Sequence, residues 1–177
     1  MSTATATAPE SDMGFALDAQ MFKAIRDSVG NALTMCNERA RCVGVSAVPS
    51  HEPGLITGMI GVHGKVSGFV TVNMSERVAI KAVSGLIQEE LALLSPQVID
   101  GVGEITNIIV GGIKAALSNS AWSFPYMTVP SVIVGNGYSI AYAKGLEFLC
   151  ATFEHLDPDS VMLEDRIMQV SISLLRL

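Results

Sequence analysis

Residues 55–74 read LITGMIGVHGKVSGFVTVNM, two runs rich in Ile, Val, Thr and Phe that meet at His63-Gly64. Gly58, Gly61, Gly64 and Gly68 stand three and four residues apart, a spacing that imitates a phosphate-binding loop. Such a loop needs a helix directly after its glycines and, in its P-loop form, a closing Gly-Lys-Ser or Gly-Lys-Thr. No helical pattern follows these glycines directly, no such ending occurs, and both flanks have strand composition. The stretch is therefore a β-hairpin. The fold around it is one of hairpin-linked strands.

Upstream, Phe22, Ile25, Val29, Leu33 and Cys36 recur at helical spacing, which predicts a helix from about Asp18, its N-cap, to Cys36. A strand is expected at 41–48, then a proline-containing loop that leads into the hairpin. Downstream, Ser75 caps a helix over 76–87. Ser95 and Pro96 open a longer one that runs to about Ser118. Beyond it a strand is expected at 127–134, where Pro130 marks an edge or a bulge because proline cannot donate to the ladder. A turn at 135–137 and a strand at 138–142 come next, then a strand at 146–154 and a last one within 165–177. Three helices and about seven strands make an α+β domain with an antiparallel-rich sheet. Its open, apolar strand edges invite pairing with a second copy of the chain.

A chain of 177 residues suits one hydrophobic core better than two. A net charge of −6 and a pI near 4.9 exclude the basic face that nucleic-acid binding requires. No apolar run approaches the ~18 residues of a membrane span. Residues 1–14 lack the basic and apolar regions of a secretion signal and read as a disordered leader, so a cytoplasmic location is expected. Cys36, Cys42 and Cys150 form no Cys-x-x-Cys pair and read as small hydrophobes. His51, His63 and His155 show no ligand spacing, so no metal site is expected.

The helix after Ser95 is unusual. Val98, Val102, Ile105, Ile109, Ile113 and Leu117 form a core face, with Ile99, Ile108 and Ala116 widening it. Opposite runs a stripe of Gln97, Asp100, Glu104, Asn107, Gly111 and Lys114. Asp100 and Glu104 are like charges at i and i+4, a pairing unfavourable by about 0.2–0.5 kcal/mol, and Glu104 has no cation at helical spacing. Gly101, Gly103, Gly111 and Gly112 each weaken the helix by about 1 kcal/mol relative to alanine. Two readings fit these costs. Either the stripe is a solvated face and the glycines serve helix packing, or something approaches the helix closely and brings a cation to Glu104.

The spacing Asp100-x3-Glu104-x2-Asn107-x22-Pro130 resembles the motif of the CheC/CheX/FliY phosphatases of bacterial chemotaxis. The phrase from Val102 to Asn107, VGEITN, is most similar to the CheX branch, and the hairpin and the PSVIVGNGYSI stretch resemble CheX-type domains. The likeness spans about residues 15–177 and implies a single CheC/CheX-like α+β domain there. It implies an enzyme that accelerates loss of the phosphoryl group from an aspartate of a CheY-like response regulator. Mg²⁺ would sit on the regulator, with no cofactor bound by this chain. Asn107 would orient the attacking water and Glu104 would pair with a lysine of the regulator. Gly103 and Gly111 would permit close approach. Asp100 and Pro130 belong to the motif without an assigned chemical role. CheC-type proteins carry the Glu-x-x-Asn pair on two helices. The first helix here, KAIRDSVGNAL, lacks it, so one site per chain and a CheX-like homodimer are expected. A domain that binds a receiver without hydrolysing its phosphate, or a dimerisation module, are the alternatives.

Overall fold

A computed structural model describes residues 19–47, 54–135, 138, 140 and 145–177. At its centre stand β2 (Ile56–His63) and β3 (Val66–Met74), antiparallel from Ile56↔Met74 to His63↔Ser67. The hairpin is the seed of the sheet. On the β3 side it continues through β7 (Ile167–Arg176) and β6 (Glu147–His155) to β1 (Ala40–Ser46), every pairing antiparallel. On the β2 side two short strands, β4 (Tyr126–Met127) and β5 (Ser131–Val134), share the free edge.

The single strand expected at 127–134 is thus interrupted, and Pro130 lies in the gap. Its missing N–H removes a ladder bond at that point. The strand expected at 138–142 and the turn at 135–137 fall largely outside the described residues. The same holds for the leader, the Asp18 cap and His51.

Period-two alternation divides the sheet. Ile56, Ile60, Val70, Val72, Val170, Ile172, Leu149 and Ala151 are buried on one face, in a single apolar cluster with the three helices. Thr57, Thr71, Asn73, Ser171 and Ser173 alternate with them and are also buried.

Helix α1 (Ala19–Met35) buries Met21, Ile25, Val29 and Leu33. It stops where Asn37 turns left-handed at φ 56° and the Glu38 N–H reaches back to Leu33 O at 2.8 Å, a Schellman closure. Helix α2 (Glu76–Ile87) begins as expected at Ser75, whose Oγ accepts the Val78 N–H. The same hydroxyl donates to Asp165 O at 2.6 Å, tying the helix start to the turn before β7. Helix α3 (Pro96–Ala116) has Ser95 as its N-cap and Pro96 in its first turn. No helix of the described residues is long and apolar enough to cross a membrane.

Candidate functional site

Helix α3 is enclosed on every side but one. Val98, Val102, Ile105, Ile109 and Ile113 are fully buried, while Gln97, Asp100, Glu104 and Asn107 are exposed and Gly111 and Lys114 half-exposed. The polar stripe is therefore the helix's open arc. The buried arc is wider than periodicity suggested and is displaced at its end, since Thr106 and Val110 are buried and Ala116 is exposed.

The glycines divide by what they face. A Cβ at Gly101 would stand 2.5 Å from Val83 Cγ1 on α2, and one at Gly112 would stand 2.7 Å from Ser28 Oγ on α1. Both serve packing of the chain's own helices. At Gly103 a Cβ would meet Pro130 Cγ at 3.6 Å and Val132 Cγ2 at 3.7 Å. Gly103 is buried there, so what approaches its backbone is the link between β4 and β5. Of the four α3 glycines Gly111 alone faces open space, with nothing within 4 Å of where a Cβ would stand. Close approach by an outside partner, expected at both Gly103 and Gly111, has room at Gly111 alone.

That link also gathers residues far apart in sequence. Asp100, Gly103, Glu104, Pro130 and Val132, with Ile99, line one shallow groove. Asn107 stands one turn beyond Glu104 on the same exposed stripe. Among the described residues, Asp100, Glu104 and Asn107 have no hydrogen-bond or ion-pair partner, although the described acids elsewhere are often paired. Asp27 on α1 takes up Lys23 and Arg26. Glu154 binds Arg41 at 2.7 Å and Arg166 at 3.2 Å. Glu38 meets His155 at 2.7 Å. Asp100 and Glu104 share their exposed stripe with the Asn107 amide.

Other candidate chemistry is dispersed. Among the described residues no group of three or more His, Cys, Asp or Glu side chains is placed to hold a metal ion. Cys36 and Cys150 are buried, Cys42 is half-buried, and all three are free. Burial, with the Glu38 charge nearby, pushes the Cys36 thiol up to about 11, so it is a poor nucleophile at neutral pH.

Comparison with known proteins bears on the family and the fold. A protein-family model described as "Chemotaxis phosphatase CheX" matches residues 56–154, a span that includes Asp100, Glu104, Asn107 and Pro130. No curated protein matches the chain by sequence. A CheC-like superfamily protein from Shewanella sp. PV-4 has a similar structure at 23% identity and TM-score 0.74, covering 89% of this chain and 99% of its own. Chemotaxis protein CheX from Vibrio vulnificus is similar at 24% identity and TM-score 0.72, covering 88% and 99%. The CheX–CheY–BeF3–Mg²⁺ complex from Borrelia burgdorferi is similar at 23% identity and TM-score 0.67, covering 89% and 96%. At these identities the structural likeness speaks to the fold.

Proposed function

The chain belongs to the CheX family of chemotaxis phosphatases, and on that premise we propose that it dephosphorylates an aspartyl-phosphate of a CheY-like response regulator. The observation that carries this reading is the exposed Glu104–Asn107 pair, unpartnered among the described residues, on a helix otherwise enclosed. A relative in complex with CheY, BeF3 and Mg²⁺ supports a regulator as the partner.

The chemistry needs little from the chain beyond placement. A water oxygen must bond to phosphorus in line with the P–O bond that breaks, leaving a free aspartate on the regulator and inorganic phosphate. Positioning supplies most of the catalysis in such transfers. A carboxamide suits the task, because it both donates to and accepts from water and does not titrate near neutral pH. Asn107 holds the water. Glu104, one turn back and lacking a cation of its own, pairs with a lysine beside the regulator's phosphoryl group and docks the helix across it. Any Mg²⁺ belongs to the regulator's acidic site. The activity places the chain in the cytoplasm with that regulator.

Docking and chemistry separate experimentally. Glu104→Gln keeps the shape and removes the charge. Truncating one side of a desolvated charge pair costs ~2–5 kcal/mol, and the stranded lysine still faces the regulator's own acids, which holds the cost near 2 kcal/mol. Binding to a beryllofluoride-loaded regulator should weaken roughly thirtyfold. Added salt should weaken wild-type docking more than docking of the variant. Wild-type affinity combined with lost turnover would move Glu104 from docking to the water.

A homodimer is proposed through β1. This strand pairs only with β6 among the described residues, and Val43 on it is an exposed apolar side chain. A register shift between Cys42 and Gly44 confines regular pairing to the two ends of the strand. Sedimentation at tens of micromolar should return the mass of two chains; a monomer there contradicts the pairing.

A further inference from the structure

Thr106 is fully buried, between Ile105 of the core and Asn107 of the exposed stripe. Its Oγ1 donates to Val102 O at 2.7 Å, a back-bond that satisfies the hydroxyl within the helix. Against it on β2 lies Gly58. A Cβ at Gly58 would stand 1.9 Å from Thr106 Oγ1, 2.8 Å from its Cβ and 3.0 Å from its Cγ2. No side chain fits position 58 while α3 sits where it does.

Glycine inside a strand is unfavourable on its own account, so a reason is required for one within β2. The strand interior supplies none, because Gly58 keeps its ladder positions opposite Val72 and Val132. The reason is the helix. Thr106 enters the space that the missing side chain leaves, on the same turn of α3 where Gly103 rests on Pro130 and Val132.

We propose that Gly58 and Thr106 act as notch and key, setting the rotation of α3 about its axis, and that both are positioning residues for Glu104 and Asn107. The inference rests on the phosphatase reading above for its functional consequence, and on the contact itself for its geometry. Burial of Ile105 and Ile109 turns the apolar stripe inward but is non-directional, so it fixes the rotation only to within the breadth of that stripe. The key is stiff, because threonine is branched at Cβ and its hydroxyl is held to Val102 O. Side-chain tips ride about 5–6 Å from a helix axis, so a turn of ~10° carries the Asn107 amide ~1 Å. A misplacement of ~1 Å can cost ~10²-fold where a reacting group must be held in line.

Two substitutions separate the key from general packing. Thr106→Val keeps the branched shape without the hydroxyl; Thr106→Ala removes the key. Thr106→Ala should lower kcat for regulator dephosphorylation roughly tenfold, a partial version of the ~10²-fold limit, with a smaller rise in KM through the shifted Glu104 and a cooperative melt. Thr106→Val should retain wild-type kcat. An unchanged kcat in Thr106→Ala overturns the proposal, as does an equal loss in both variants. Asn107→Ala, assayed alongside, tests the phosphatase reading separately. If that reading fails, the notch is judged by a crystal structure of Gly58→Ala, in which α3 should be displaced by about 1 Å at Asn107 relative to the sheet. A superposing helix overturns it. Should Gly58→Ala not fold, Gly58→Ala/Thr106→Ala relieves the hydroxyl contact and leaves the 2.8 Å Cβ approach, so the same displacement is expected at smaller amplitude.

Discussion

Asn107→Ala is expected to lower the turnover of a phosphorylated regulator by on the order of 10²-fold or more, the loss that follows when a reacting water is no longer held in line. The fold should survive. Asn107 is exposed and has no partner among the described residues, and the core face of α3 runs through Val102, Ile105 and Ile109. Alanine is also the better helix former, so the melting temperature should hold or rise slightly. Binding to a beryllofluoride-loaded regulator should stay near wild type, because the docking charge on Glu104 remains. This pattern, normal docking with failed turnover, is the opposite of that expected for Glu104→Gln. Retained turnover in Asn107→Ala would remove the amide from the mechanism.

The largest effect on stability is expected far from this site, at Asp157. Its side chain is fully buried after β6 and receives Arg77 Nε at 2.5 Å and Lys81 Nζ at 2.9 Å, both from α2. The Asp159 N–H adds a third donor at 3.0 Å. Burial alone would raise the carboxyl's pKa; the hydrogen bonds from Arg77, Lys81 and Asp159 outweigh it and hold the group well below the usual carboxylate range. Asp157→Ala would strand Arg77 and leave Lys81 only the exposed Asp159, at 3.8 Å. Breaking a buried pair costs about 3–5 kcal/mol, and because Arg77 and Lys81 keep about a third of their side chains in water, about 3 kcal/mol is expected. That lowers the melting temperature by roughly 6–12 °C for a domain of this size. The dependence on pH has a definite sign. A carboxyl whose folded pKa is depressed stabilises the fold fully above its unfolded value of about 3.9, and the contribution is lost as pH falls towards the folded value. The gap between wild type and Asp157→Ala should be constant from neutral pH to about 5 and shrink below about 4. A gap that does not change with acidity would show that packing, and not the charge, holds this corner.

Features set by neighbours along the chain were readable from sequence. The hairpin at 55–74 showed in β-branched runs joined by two residues, and the starts of α2 and α3 in Ser75 and in Ser95-Pro96, because caps are local chemistry. The exposed stripe on α3 followed from helical period alone. What depended on distant partners was hidden. The cost of Gly101 and Gly112 was visible, but their beneficiaries, Val83 and Ser28, lie on other helices. The burial of Thr106 depends on a glycine in a strand it does not adjoin in sequence. Pro130 was legible as an edge residue, whereas its place against Gly103, and the groove it shares with Asp100 and Glu104, required the fold.

The activity proposed for this chain is faster hydrolysis at a regulator's aspartyl-phosphate. Its most direct test is release of inorganic phosphate from a phosphorylated CheY-like receiver domain, with Mg²⁺ present and the chain at a small fraction of the receiver's concentration. The expected result is many phosphates released per chain, at a rate that rises in proportion to the chain added and collapses with Asn107→Ala. Decay at the receiver's own rate, unchanged by the chain even where a beryllofluoride-loaded receiver binds it, would contradict the phosphatase assignment and leave a receiver-binding domain in its place.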